Sequence, residues 1–482
     1  MNKPIRRLAV FTMALFGVLL LNVTWIQAVQ AEWLREHPYN SRQYTEQLTI
    51  ARGPIVAGNE QIAYSEPIQD SDRYQRVYEH PELYAHPVGV FRSGSANGIE
   101  QTENSFLDGS DSRLFVRNFL DMLTGEESKG ATVNLTLDPK AQQAALEAFQ
   151  SIAPDKKGAA VALDPQTGAV LASVSLPTYD ANSVASVENP GDAADQWVAY
   201  ENDPNQPLLN RAFNERYPPG STFKIVTAAA ALENGASPDS TMDAPDQLQI
   251  GGASLPNATP GGTCNGGSPD TLAHSIMISC NTSMANWAKS LGADTMAAQA
   301  EAFGFNSGTM EVPVDVAESL YPADIDENFL AMSGIGQGNV EATPLQMAMV
   351  AAGVANGGDV MKPYLVESVQ GPDLSEITAA TPEVYSEAVS SQTAEELTQM
   401  MIGVTEGAEG SGPSGAIPGI QVAGKTGTAE TGDGDTHNWF ISFAPANDPQ
   451  VAVAVVVERG NSSGNTLAAP IAKEIMEAVI NE

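Results

Sequence analysis

The segment "PPGSTFKIVTAAAALENG" (218–235) sets a turn bounded by proline and glycine against an apolar, alanine-rich run. A serine at a helix start commonly caps it, because its oxygen satisfies a backbone N–H left free in the first turn. Three residues after Ser221, however, stands Lys224, where a capping box places Glu or Gln and where a cation opposes the positive end of the helix dipole. The spacing puts Lys224 one turn above Ser221 on the same face, flanked by Phe223, Ile225 and Val226. Dipole and desolvation both lower a lysine pKa, and a neutral amine beside a hydroxyl can take its proton and activate it as a nucleophile. Taken alone the stretch fits a cap as well as a nucleophile, since Ser-x-x-Lys is frequent by chance.

Two further short elements carry chemistry in the same order along the chain: "SCN" at 279–281 and "KTGT" at 425–428. Ser279 and Asn281 fit a polar cluster at a helix end, with Asn281 a local cap, and "KTGT" fits a plain turn. On a strand along a cleft, the Lys425 charge would favour an anionic substrate end, and the Thr426 and Thr428 hydroxyls would hydrogen-bond a carboxylate. Gly427 would let another backbone approach where a side chain blocks it. A rival nucleophile lies in "GNSSG" (460–464), which fits the Gly-x-Ser-x-Gly elbow of α/β-hydrolases. Those enzymes place the catalytic histidine after the serine, whereas the last histidine, His437, precedes Ser462, so the rival fails on order. His437 reads as an ordinary loop or strand residue. Histidines at 37, 80, 86, 274 and 437 show no paired-ligand spacing, so no metal site is expected.

These residues need a scaffold, and the pattern around them reads as strands and helices. "ATVNLTLDP" (131–139) alternates as a half-buried strand, and "KAQQAALEAFQSI" (140–152) has helical spacing, so a second domain is expected to begin at 131. "GAAVALDPQTGAVLASVS" (158–175) reads as two strands joined by a turn with proline and glycine. Helical spacing runs from Phe223 to Leu232, across "TLAHSIMISCNTSMANWAKSLG" and across "TPLQMAMVAAGVANGG". Late in the chain "IQVAGKTGTAE", "HNWFISFAPA" and "VAVAVVVE" are successive strands, and "AAPIAKEIMEAVI" is a terminal helix. Two strands, a helical stretch, three strands and a helix predict an α+β fold with an antiparallel sheet. Residues 31–130, which include "FRSGSANGIEQTENSFLDGSDS", read as a small accessory domain rich in loops.

The whole chain sets limits on function. Its 482 residues are 42% hydrophobic and 17% charged, a globular composition. Asp and Glu outnumber Lys and Arg by 59 to 23, a formal charge of −36 that argues against a nucleic-acid partner. "MNKPIRR" precedes Leu8–Val29, a span without a charged side chain and long enough to cross a bilayer core of about 30 Å. Basic residues before it predict a cytoplasmic tail (1–7), an anchor (8–30) and an exported remainder. The alternative is a cleaved signal peptide ending in "VQA" at Ala31. In an oxidising compartment Cys264 and Cys280 could form a disulfide worth about 3 kcal/mol, or remain two separate thiols.

Together, "STFK", "SCN" and "KTGT" match the set of motifs of penicillin-binding proteins and serine β-lactamases. With "RGPI", "LDPQTGAVLASVSLPTYDAN", "NRAFNERYPPGSTFK", "GIGQGNVEATPLQMAMVAAGVANGG" and "GKTGTAE", the chain resembles class B penicillin-binding proteins, most closely over 131–482, and within them the actinobacterial penicillin-binding protein A group. The resemblance implies a five-stranded antiparallel sheet with helices on both faces and an all-helical lobe beside it. It further implies Ser221 as the acylated nucleophile, Lys224 as its base and Ser279 as a proton relay to the leaving amine. Asn281 would hold the substrate's side-chain amide, and the N–H groups of Ser221 and Thr428 would form the oxyanion hole. The implied activity is D,D-transpeptidation of peptidoglycan stem peptides ending in D-Ala-D-Ala, inhibited by β-lactams, with no cofactor and with a membrane glycan polymerase as partner. A D,D-carboxypeptidase, a β-lactamase and a non-enzymatic scaffold of the cell-wall machinery are the rival readings.

Overall fold

The computed structural model describes residues 3–28, 30, 47–92, 95–114, 129–258, 262–308, 310–322 and 325–481. A single helix, Lys3–Ala28, opens the chain. Its apolar side chains are exposed all round, Leu21 by 73% and Met13 by 74%. A helix apolar on every face has its low-energy environment in lipid, and Lys3–Gln27 is long and apolar enough to cross a membrane. His37 and the "VQA" site at Ala31 lie outside the described residues.

The central sheet has five antiparallel strands in the order Ala423–Glu430, Thr436–Ala444, Val451–Val457, Gly158–Leu163 and Val170–Leu176. The "DPQTG" turn closes its hairpin through the Asp164 carboxylate, which accepts the Gln166 N–H at 2.8 Å, and through Gly168 at φ +83°. Val451–Val457 has no exposed residue, which a strand achieves only when both faces are covered. Pro139–Ile152 and Ala468–Ile480 pack together on one face. Pro344–Ala355 and Ser391–Glu406 cover the other, the latter against the Ala423–Glu430 edge strand. Their starts are specified locally: Asp138 caps the first helix through the N–H groups of Lys140 and Ala141, and Thr343 caps the third through Gln346.

A second sheet of six strands crosses the boundary expected at 131. Its order is Glu376–Ala379, Val366–Gln370, Thr132–Leu135, Ile55–Ala57, Glu60–Pro67 and Tyr74–Tyr78. The strand that opens 131–482 therefore pairs in parallel with Ile55–Ala57 from the segment before it, and a hairpin from beyond residue 360 completes the sheet. The stretch read as loop-rich contains two short helices, Gly98–Thr102 and Asn104–Leu107. Glu100 from the first is wholly buried between Arg52 (2.7 Å) and Arg76 (2.6 Å). Burial pushes its carboxyl up, but the two guanidinium groups outweigh this and hold it below its ordinary value.

The helix expected from Phe223 to Leu232 is present as Lys224–Glu233, preceded by a tight 3₁₀ turn, Gly220–Phe223, that carries Ser221. One helical expectation is corrected. "TLAHSIMISCNTSMANWAKSLG" is two helices, Leu272–Met277 and Asn281–Leu291, because Ser279 takes φ +64°, a left-handed conformation that an α-helix cannot pass through.

Candidate active site

The turn that carries Ser221 is fixed from several sides. Gly220 has φ +54°, and a Cβ there would lie 2.6 Å from Thr428 O, so the turn rests on the backbone of the edge strand. Its N–H donates to Gly336 O at 2.9 Å. Gly336, at φ +70°, has no room for a side chain: a Cβ would fall 2.1 Å from Gly220 O. The "GIGQG" loop thus buttresses the serine turn, as Trp439 does by donating from its indole to Pro218 O at 3.0 Å. Ser221 is left half-buried on the wall of a cleft of about 1050 Å³, with Ser279, Asn281, Thr426, Gly427 and Thr428 around it.

Lys224 and Lys425 lie beneath that wall, both with no exposed surface. Lys224 Nζ donates to Ser279 O at 2.8 Å, Ser279 Oγ at 3.3 Å and Asn281 Oδ1 at 2.7 Å. Lys425 Nζ reaches the same Ser279 Oγ at 2.9 Å and Thr426 O at 3.0 Å. Burial, with the neighbouring Lys425 charge adding to it, pushes the Lys224 amine far below its ordinary value. Burial alone pushes Lys425 down to about 7. Desolvation does here what the sequence assigned jointly to the helix dipole, and the second lysine adds a contribution that no local spacing shows.

The left-handed Ser279 turns its carbonyl to Lys224 and its hydroxyl to both amines, so a single residue 55 positions from Lys224 and 146 from Lys425 bridges the two. Next to it, Cys280 is disulfide-bonded to Cys264, which itself lines the cleft. Asn281 spends both ends of its amide within the protein, accepting from Lys224 and donating to Pro256 O at 3.0 Å. Its helix is capped from a distance: Asn257 Oδ1 accepts the N–H groups of Asn281 and Thr282, both at 3.0 Å.

The "KTGT" strand differs from its expected role in two respects. Lys425 faces inward rather than into the cleft, leaving Thr426 and Thr428 as the groups on the substrate side. The close approach at Gly427 is made by the protein itself, since a Cβ there would meet Trp439 Cβ at 2.8 Å and Pro219 O at 3.1 Å. Sequence reasoning missed Asn257 and Ser411, whose hydroxyl is 3.0 Å from Thr426 Oγ1. It also missed the acidic rim, Glu409 and Glu430.

The glycines of "GNSSG" have a packing explanation. A Cβ on Gly464 would lie 2.0 Å from Trp439 O and 2.8 Å from Gly427 O, and one on Gly460 would strike the Asn438 side chain. His437 turns its ring edge to Tyr217, centroids 5.2 Å apart, and accepts the Arg459 N–H at 3.3 Å. Burial pushes its pKa down.

Chemically the site offers an accessible hydroxyl at the start of a helix, a buried amine of strongly lowered pKa one turn on, and a serine that connects this amine to a second one. The strand beside it is a sheet edge, whose outward backbone groups can pair with an extended peptide.

Comparison with known proteins agrees with this arrangement. Residues 158–477 match the penicillin binding protein transpeptidase domain and residues 52–133 the penicillin binding protein A dimerisation domain. The chain is 42% identical, over 100% of both sequences, to peptidoglycan D,D-transpeptidase PbpA of Mycolicibacterium smegmatis. It is also 42% identical to that of Mycobacterium tuberculosis, over 100% of this chain and 99% of the relative. The structure superposes on the ceftriaxone acyl-enzyme of M. tuberculosis penicillin-binding protein A with TM-score 0.87, covering 90% of this chain and 99% of that one. The penicillin G acyl-enzyme gives 0.85 over 89% and 100%. By sequence, by fold and by the motifs gathered around its cleft, the chain belongs to the penicillin-binding protein transpeptidase family.

Proposed function

We propose that the protein is a membrane-anchored peptidoglycan D,D-transpeptidase in which Ser221 is the acylated nucleophile. The observation that carries this reading is the wholly buried Lys224, whose amine burial pushes far below its ordinary value one helical turn from a serine that opens onto the cleft. Neutral Lys224 removes the Ser221 proton as Oγ attacks the carbonyl of the penultimate D-alanine. The C–N bond to the terminal D-alanine then breaks, and the proton passes through Ser279 to the leaving amine. An acceptor amine attacks the ester, transferring the acyl group and restoring the Ser221 hydroxyl. Backbone N–H groups of Ser221 and Thr428 stabilise the oxyanion, a contribution typically worth about 10²–10³ in rate per donor.

Thr426 and Thr428 receive the terminal carboxylate and Gly427 keeps the serine turn close, while Lys425 holds Ser279 from below. Asn281 sets the Lys224 amine in place before it meets the donor peptide's side-chain amide. Residues 1–7 are cytoplasmic and 8–30 form the anchor. Residues 31–130 serve as an accessory domain and 131–482 as the catalytic one, outside the membrane. A membrane glycan polymerase supplies the strands to be joined.

Intact-mass spectrometry of the full chain in detergent, incubated with benzylpenicillin, tests the assignment. An adduct of one drug mass that persists for hours, and is absent in Ser221→Ala, is the expected result. Drug turnover within seconds would point to a β-lactamase. A folded wild type that takes no adduct would overturn the nucleophile.

A further inference from the structure

One titratable cluster beside the cleft has no part in the mechanism above. His274, on the helix Leu272–Met277 that leads to Ser279, stands between two carboxylates. Its Nδ1 is 2.7 Å from Asp270 Oδ1 and its Nε2 is 3.1 Å from Glu409 Oε2. Asp270 is buried and also accepts from the Thr271 N–H at 3.0 Å and the Ser275 hydroxyl at 3.2 Å. Glu409 is mostly exposed and belongs to the turn after the helix Ser391–Glu406. Ala408, Glu409, Gly410 and Ser411 of this turn line the cleft. Ser411 donates its N–H to Met277 O at 3.1 Å, and its hydroxyl shares a hydrogen bond with Thr426 Oγ1 at 3.0 Å. The charged groups that face His274 are Asp270, on the strand before its helix, and Glu409, on the turn across from it.

Ionised carboxylates only accept hydrogen bonds, so both contacts are satisfied only when the ring carries a proton on each nitrogen. A neutral ring has one N–H. Buried Asp270 cannot be solvated in exchange, so the ring keeps its hydrogen at Nδ1 and turns a lone pair toward Glu409. We propose that His274 is a positioning residue of the acylation site: protonated, it clasps Glu409 and holds the 407–412 turn, and through Ser411 the Thr426 hydroxyl, in place for the substrate carboxylate. This rests on the transpeptidase reading and extends it to substrate binding.

Burial works against protonation of His274, but hydrogen bonds and charge from Glu409 and Asp270 outweigh it and raise its pKa above the ordinary value. The contribution of the clasp is then complete below about 6.5 and is lost as pH rises through the raised native value. Lys425, at about 7, titrates in a similar range. A comparison between wild type and Glu409→Gln separates the two, because the substituted amide can still accept a hydrogen bond but carries no charge, and Lys425 is common to both.

The experiment uses the full chain in detergent, ¹³C-labelled in its five histidine rings, with His274→Gln to identify the His274 signal. Ring titration is followed by NMR, and penicillin acylation by stopped flow at each pH, resolved into the affinity of the initial complex and the limiting acylation rate. In wild type, affinity is expected to weaken about threefold as pH rises through the His274 pKa, the size of one exposed charged contact. Glu409→Gln should lower that pKa and abolish the His274-linked loss of affinity. If Glu409→Gln shifts the ring titration while the affinity profile stays as in wild type, or if wild-type His274 titrates at or below about 6.5, the proposal is overturned. Wild-type protein that is not acylated at any pH overturns the transpeptidase reading and this proposal with it.

Discussion

Lys224 shows how burial turns an ordinary side chain into a reagent. An exposed lysine is charged at neutral pH and cannot accept a proton, whereas one with no exposed surface beside a second cation gives up its charge readily. Lys224→Arg keeps a hydrogen-bond donor but installs a group that stays protonated. It should lower the limiting rate of penicillin acylation by about 10²–10⁴-fold, the usual worth of a general base, with the melting temperature reporting that the fold survives. The same logic fixes the sign of the acid limb in wild type. The neutral amine is the active form, so acylation should fall as pH drops through the lowered native pKa of Lys224 and recover above it.

At the level of elements, the serine turn is a short 3₁₀ segment that owes its position to other parts of the chain. Gly336 is the clearest test, since its positive φ and the 2.1 Å approach to Gly220 O both exclude a side chain. Gly336→Ala must push the "GIGQG" loop and the serine turn apart, removing the buttress that fixes Ser221 beside the edge strand. Acylation should drop at least tenfold, with a stability loss of about 1–3 kcal/mol in urea unfolding. An unchanged acylation rate would mean that the turn holds its own shape.

Across the molecule, the Lys3–Ala28 helix has no internal partner for its apolar surface among the described residues, while the acidic remainder is well suited to water. Leu15→Arg with Leu19→Arg places two charges within the span, each costing about 2.5–3.5 kcal/mol at a bilayer centre. The doubly substituted chain should leave the membrane pellet under alkaline extraction that retains wild type, and should still be acylated by penicillin. Loss of both properties would tie the catalytic fold to the anchor.

Chemistry that depends on neighbours along the chain was legible in the amino-acid order. Ser221 and Lys224 share a helical turn, the threonines of "KTGT" share a strand face, and the alternating and apolar runs around them specify the strands and helices of an α+β fold. The uncharged run from Leu8 to Val29 marked the helix that opens the chain. Contacts made between distant segments arise only on folding. Asn257 caps a helix 24 residues away, Ser411 meets Thr426 across 15, and Glu409 meets His274 across 135. No periodicity marks such pairs. Whether a lysine in a motif faces the cleft or lies beneath it, and whether a helical pattern breaks at Ser279, depends on what packs over those residues. Burial and hydrogen-bond satisfaction are properties of the assembled fold, and they set the protonation state of Lys224, Lys425 and His274.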